Sequence, residues 1–145
     1  MKTILTSTLF IFTLSAYSQN FIAFQKESGP ESNWVKVYNE GLTGYLDETG
    51  EEIIPPVYEE IGRFGECCSN MALVRKNGLY GLVDTYGNVI VEAQYEMIGR
   101  QDEYKPGWIL VKREGLYGFI DCSGEEIVKP VYTEIQMEGN TLKVN

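Results

Sequence analysis

The sequence predicts an all-β fold built from tandem repeats, and three observations carry that expectation. First, the chain repeats itself in register. "GLTGYLDETGEEIIPPVY" (Gly41 to Tyr58) returns as "GLYGLVDTYGNVIVEAQY" (Gly78 to Tyr95) and as "GLYGFIDCSGEEIVKPVY" (Gly115 to Tyr132). The spacing is constant: 78 − 41 = 37 and 115 − 78 = 37 residues. A fixed period of roughly 20–50 residues marks repeat architectures. Second, each unit is made of short runs of β-formers separated by turn residues. Third, no window carries apolar residues at helical spacing. Units of this kind bury their apolar faces by stacking on one another. The expected product is an open twisted array of antiparallel strands and hairpins, or a compact three-unit β domain. Three units are few for a closed propeller, which has about four blades or more.

In chain order, the first segment is "MKTILTSTLFIFTLSAYSQN". Lys2 gives a positive start, Ile4 to Leu14 form an apolar stretch, and Ala16-Tyr17-Ser18 puts small residues before Gln19. This is the pattern of a secretory signal peptide spanning residues 1–18, cut near Ser18–Gln19. The apolar run is short of the ~20 residues that cross a bilayer, so no membrane span is expected. Export follows, to a periplasmic, cell-surface or extracellular address. Removal of the segment leaves 145 − 18 = 127 residues, enough for one domain with a real core. Residues 19–33 are a short lead-in that ends in the polar loop "KESGPESN".

The repeats then run over 34–70, 71–107 and 108–140. "WVKVY", "MALVR" and "WILVK" open them as strands, with Val37, Val74 and Val111 in register. "GYLD", "GLVD" and "GFID" are apolar at consecutive positions, as expected of strands covered on both faces. Next come "DETG", "DTYG" and "DCSG". Asp at the first and Gly at the fourth turn position favour a type I turn, extended by a glycine bulge. Asp47, Asp84 and Asp121, with Gly50, Gly87 and Gly124, are therefore expected to form turns. "EEII", "NVIV" and "EEIV" return, and Pro55-Pro56 and Pro130 are expected to end these strands. A last strand is expected to start at Tyr58, Tyr95 and Tyr132. "TLKV" at Thr141 to Val144 reads as a terminal strand, within 141–145, that pairs with the last unit.

The unit resembles the WG-type (KWG) repeat of bacterial proteins, whose pattern is close to G-x-W-G-[FYL]-[IV]-D-x-x-G-x-x-[IV]-[IV]-P-x-x-Y. The likeness covers residues 34 to 144. The tryptophan that names the repeat is replaced by Thr43, Tyr80 and Tyr117. The resemblance implies a repetitive β architecture and, for the most part, no established activity.

Composition excludes several functions. The chain has 12 basic and 21 acidic residues, a net charge of −9. Residues 1–18 hold one Lys and no acid, so the remainder stands at 11 − 21 = −10. Such a charge repels nucleic acid and anionic membranes. The absence of histidine removes Ser-His-Asp triads, Cys-His dyads and His-ligated metals. The repeated aspartates sit a unit apart, so they do not face one another as an acid/base pair. Their spacing also lacks the D-x-[DN]-x-[DN]-G of a calcium loop. "GLYG" is no phosphate cradle, because no helix follows it. No catalytic residue, metal or cofactor is expected.

Trp34 and Trp108 occupy the same position in two units and Met71 holds it in the third. They are candidates for packing between units or for binding a partner. Cys67 and Cys68 lie in a non-repeating loop. Cys122 sits in a turn, where an exposed thiol suits an intermolecular bond. The loops "GECCSN", "QDEYKPG" and "MEGN" differ between units, and variable loops on a fixed scaffold commonly bind. The function expected is an exported, non-catalytic interaction module for a protein or a cell-envelope glycan. The alternatives are a structural or capping element of an envelope assembly and a carboxylate-based glycan hydrolase.

Overall fold

The computed structural model describes residues 21–25 and 33–145, and for 21–25 the backbone alone. The signal-peptide segment lies outside the described residues. Every element described is a strand. The first sheet has the order β1 (Phe21–Gln25), β2 (Val35–Asn39), β3 (Leu42–Leu46), β4 (Glu52–Tyr58). The second has β5 (Glu60–Ile61), β6 (Met71–Lys76), β7 (Leu79–Asp84), β8 (Val89–Tyr95). The third has β9 (Met97–Gln101), β10 (Ile109–Arg113), β11 (Leu116–Ile120), β12 (Glu126–Tyr132). A two-stranded sheet of β13 (Ile135–Glu138) and β14 (Thr141–Val144) follows. All pairings are antiparallel between neighbours in sequence, and the sheets are open.

The sheets are out of phase with the repeat as it reads from Trp34. Each unit keeps three strands and hands its last one to the next sheet. Thus Ile61 of β5 pairs with Val74 of β6, and Ile98 of β9 with Val111 of β10. "TLKV" pairs with β13 at Met137↔Leu142. Consecutive units are therefore tied by backbone hydrogen bonds as well as by apolar packing. In the first sheet, β1 from the lead-in occupies the place that a previous unit's last strand would take.

Two features of the unit differ from the sequence expectation. The prolines do not end the returning strand. β4 runs through Pro55-Pro56 to Tyr58, and β12 runs through Pro130 to Tyr132. Between Thr43↔Tyr58 and Tyr45↔Ile54, β3 advances two residues while β4 advances four. The surplus residues form a bulge, where a proline's missing N–H leaves no gap in the ladder. The bulge also explains the second glycine of each unit. A Cβ on Gly44, Gly81 or Gly118 would strike the carbonyl of Ile54, Val91 or Val128. The shared tyrosines close the returning strands rather than open the next ones, because the chain must turn before it can join the following sheet.

The hairpin between the first two strands of each unit closes through a two-residue loop. Glu40-Gly41, Asn77-Gly78 and Glu114-Gly115 all have positive φ at both residues. Two such residues make a type I′ loop, which matches the twist of its strands.

Apolar faces pack between sheets. Trp34, Tyr45, Ile54 and Tyr58 of the first sheet's side meet Ile61, Ala72, Val74 and Val83 of the second. Leu82, Val91 and Tyr95 of the second meet Ile98, Ile109, Val111 and Ile120 of the third. Neighbours Leu82 and Val83 face opposite junctions and both are fully buried. This is why β7 is apolar at successive positions.

Candidate functional site

The third junction, between the third sheet and the β13–β14 hairpin, is built differently. Each earlier junction has a four-stranded sheet on either side, whereas here only a two-stranded hairpin follows the third sheet. Between them lies a groove of about 320 Å³. Its walls are Tyr104, Lys105, Pro106 and Trp108 on one side and Met137, Asn140 and Leu142 on the other. Two loops that vary between units, "QDEYKPG" and "MEGN", thus converge on one depression with a tryptophan beside it.

The loop before β10 holds its side chains by backbone hydrogen bonds. Asp102 N donates to Trp108 O at 3.1 Å, and Trp108 N donates to Lys105 O at 3.0 Å. The Asp102 carboxylate accepts from Gly107 N at 2.6 Å. The loop before β6 uses the same frame, with Met71 N donating to Cys68 O at 3.2 Å and Gly65 N to Met71 O at 2.9 Å. The frame repeats while its side chains change: Cys67-Cys68 in one loop stand where Tyr104-Lys105 stand in the other.

Trp34 and Trp108 consequently have different surroundings. Trp34 is 6% exposed. It packs against Tyr45 at 5.7 Å and edge-on to Phe64 at 5.8 Å between ring centroids. It presents no surface to a ligand, so a direct binding role does not fit it. Trp108 is half-buried. Its ring is tilted on Phe119 at 5.0 Å, Tyr104 stands edge-on to Phe119 at 5.6 Å, and Lys105 Nζ lies 4.7 Å from the indole centroid. The ammonium lies over part of the indole, and the rest of the groove is lined by Tyr104, Pro106, Met137, Asn140 and Leu142.

The turn aspartates hold a common geometry. Asp47 Oδ1 accepts from Thr49 N at 2.8 Å and Glu51 N at 2.9 Å. Asp84 Oδ1 accepts from Tyr86 N at 2.8 Å and Asn88 N at 2.9 Å. Asp121 Oδ1 accepts from Ser123 N at 2.8 Å and Glu125 N at 3.0 Å. Thr49 and Ser123 add hydroxyl hydrogen bonds to the same oxygens, and these are the main reason Asp47 and Asp121 lie below the ordinary carboxylate value. For Asp84, slight burial opposes the lowering, and the Asn88 side chain and backbone outweigh it. Gly50, Gly87 and Gly124 have φ near +85° (86°, 85° and 84°). A Cβ on Gly87 would fall on the Ile53 carbonyl of the preceding unit, and one on Gly124 would lie 2.7 Å from Ile90 O. Around Gly50 there is open space. The turn of one unit thus rests on the returning strand of the unit before it.

Two further carboxylates went unnoticed in the sequence. Glu59 accepts from Gly78 N at 3.2 Å and Glu96 from Gly115 N at 3.0 Å. Each follows a shared tyrosine and caps a type I′ loop of the next unit. Their 37-residue spacing (96 − 59 = 37) was the available signal.

The cysteines correct another expectation. Cys122 is half-buried rather than protruding from its turn, and Cys67 and Cys68 are buried. All three join the junction between the second and third sheets. At the position of the name-giving tryptophan, Thr43 is buried, while Tyr80 and Tyr117 are half-buried. Among the described residues no group of three or more His, Cys, Asp or Glu is arranged to hold a metal ion. No helix among them is long and apolar enough to cross a membrane.

A stack of small antiparallel sheets, each sharing a strand with the unit before it and ending in a side-chain-lined groove, defines a β-repeat protein. More narrowly, the family model of the WG containing repeat matches residues 44–80, 80–117 and 117–138, and the chain belongs to that family. The family is a repeat domain of non-catalytic type. No curated protein and no solved structure matches the chain.

Proposed function

We propose that this protein is a non-catalytic binding module, exported from the cell, whose binding surface is the groove beside Trp108. The convergence of two unit-specific loops on one apolar groove carries this reading. The scaffold side chains repeat, whereas Tyr104, Lys105 and Pro106 of the groove have no counterpart in the other units, which is how specificity is placed on a repeat fold. A polypeptide partner fits the lining better than a glycan. Sugars stack on a free aromatic face, and Lys105 covers part of the indole. A groove lined mainly by Tyr, Pro, Met, Leu and Trp side chains, with Asn140 at one wall, suits an apolar or aromatic side chain from a partner. Lys105 at its rim favours an acidic residue beside that anchor.

The test pairs a displayed peptide library with a glycan array, both probed with the mature chain. Peptides with an apolar anchor next to an acid should be selected. Trp108→Ala and Met137→Ala should lose them, while Tyr86→Ala, remote from the groove, should retain them. Selection of glycans alone, or peptide binding indifferent to Trp108, would overturn the reading. N-terminal sequencing of the protein from an outer cell fraction should begin at Gln19.

A further inference from the structure

We propose that Cys68 and Cys122 form an intramolecular disulfide that locks the second and third sheets together, with Cys67 remaining a thiol. Cys68 and Cys122 are free thiols in the structure. Cys122 Sγ lies 2.7 Å from Cys68 Sγ, inside the contact distance of two sulfurs but longer than a bond of ~2.05 Å. The partners come from distant places. Cys68 belongs to the loop between β5 and β6, and Cys122 to the turn between β11 and β12. The turn glycine two residues on, Gly124, rests against Ile90 and Val91, so the turn cannot easily swing away. Cys67 is engaged elsewhere. Its Sγ donates to Gly99 O at 3.0 Å, its carbonyl accepts from Gln101 N at 3.1 Å, and its sulfur is 4.0 Å from that of Cys68. Neighbouring cysteines also bridge each other only with strain. The geometry thus selects one pair from three thiols.

The oxidant is a low-molecular-weight disulfide, RSSR, of the kind found in oxidising compartments. The Cys122 thiol loses its proton to solvent, and the thiolate attacks RSSR. The S–S bond breaks and one RS⁻ departs, leaving a mixed disulfide on Cys122. Cys68 then loses its proton, attacks the Cys122 sulfur and expels the second RS⁻. Two protein thiols are oxidised to one disulfide, and RSSR is reduced to two RSH once the thiolates take up the released protons. Burial raises the Cys122 thiol to about 12, so the exchange is slow in the folded chain and is completed mainly while the chain folds.

The full-length mature chain tests this. It is reduced, unfolded and refolded in a glutathione redox buffer, then alkylated and mapped by mass spectrometry. The expected result is alkylation at Cys67 alone and a peptide cross-linked through Cys122. Cys67→Ser retains the cross-link, which identifies Cys68 as the partner. Cys122→Ser leaves both remaining thiols alkylated. Dithiothreitol should lower the thermal midpoint of the wild type and of Cys67→Ser. Should Cys122→Ser fail to fold, mapping of the wild type and Cys67→Ser decides alone. Three alkylated thiols, a Cys67–Cys122 bridge or a bridge between chains would overturn the proposal.

Discussion

Trp34 and Trp108 hold the same place in the repeat and live in different surroundings. Trp34 lies in the first junction, with Tyr45 below, Phe64 at its edge and the second sheet across from it. Trp108 keeps the ring below it, now Phe119, but faces a two-stranded hairpin and a groove. The shared tyrosines grade in the same direction: Tyr58 and Tyr95 are buried and Tyr132 is half-buried. Identical residues in a repeat therefore have no fixed role. What the next sheet brings decides whether an aromatic side chain fills a core or lines a surface.

The largest test of this contrast removes each indole in turn. Trp34→Ala should cost about 3–5 kcal/mol in chemical denaturation, because the cavity lies between two packed sheets. Trp108→Ala should cost only about 1–2 kcal/mol, since its ring is only partly buried and borders the groove. Equal losses would show that the two junctions are equally packed. Single-tryptophan variants sharpen the point, as acrylamide should quench Trp108 emission more than that of Trp34.

The turn glycines offer a second contrast. Gly87→Ala suffers both a positive φ and a collision with the Ile53 carbonyl, and should lose about 3 kcal/mol. Gly50→Ala meets open space and should lose about 1–2 kcal/mol from the backbone conformation alone. A similar loss at both sites would mean that the turns do not carry the contact between units.

A smaller effect is expected where the second junction has a polar rim. Tyr95 OH lies 3.1 Å from Glu126 Oε1, which also pairs with Arg113 Nη1 at 2.7 Å. Tyr95→Phe should cost about 1 kcal/mol. Burial, then the charge of Glu126, raises the Tyr95 hydroxyl to about 12. Burial, then the charge of Glu92, raises the Tyr58 hydroxyl as well, so ultraviolet titration of the folded chain should find Tyr95 and Tyr58 ionising after the exposed tyrosines.

The smallest effect is at the exposed turns. The Asp84 carboxylate lies below its ordinary value of 3.8 in the folded chain. A lowered folded value contributes stability that is present above 3.8 and is lost as pH falls through the folded value. Asp84→Asn keeps an acceptor oxygen and removes the charge. Its deficit against the wild type should be full near neutrality and should vanish in acid. A deficit independent of pH would assign the turn's stability to acceptor geometry alone.

Much of the fold was legible because it depends on local chemistry repeated three times. Asp-x-x-Gly marked each turn, and the apolar pairs Leu82-Val83 and Phe119-Ile120 marked strands covered on both faces. The bulge was hidden, because a proline reads locally as a stop. Only the glycine across the ladder shows that it is accommodated. The groove was half legible. "QDEYKPG" and "MEGN" stood out as variable, but nothing local says that they meet. The cysteines stood out as residues that do not recur, but nothing local says that the loop of Cys67-Cys68 meets the turn of Cys122, 54 residues on.

The sequence by itself determined the all-β class, the 37-residue unit and the turn chemistry, since each rests on backbone preferences and on contacts between near neighbours. The tertiary structure alone decided three other things: which sheet receives each unit's last strand, which tryptophan stays accessible, and which cysteines meet. These depend on one unit's packing against the next. That packing joins residues far apart in the chain, such as Cys68 and Cys122, through shape and solvent exclusion that no single stretch encodes.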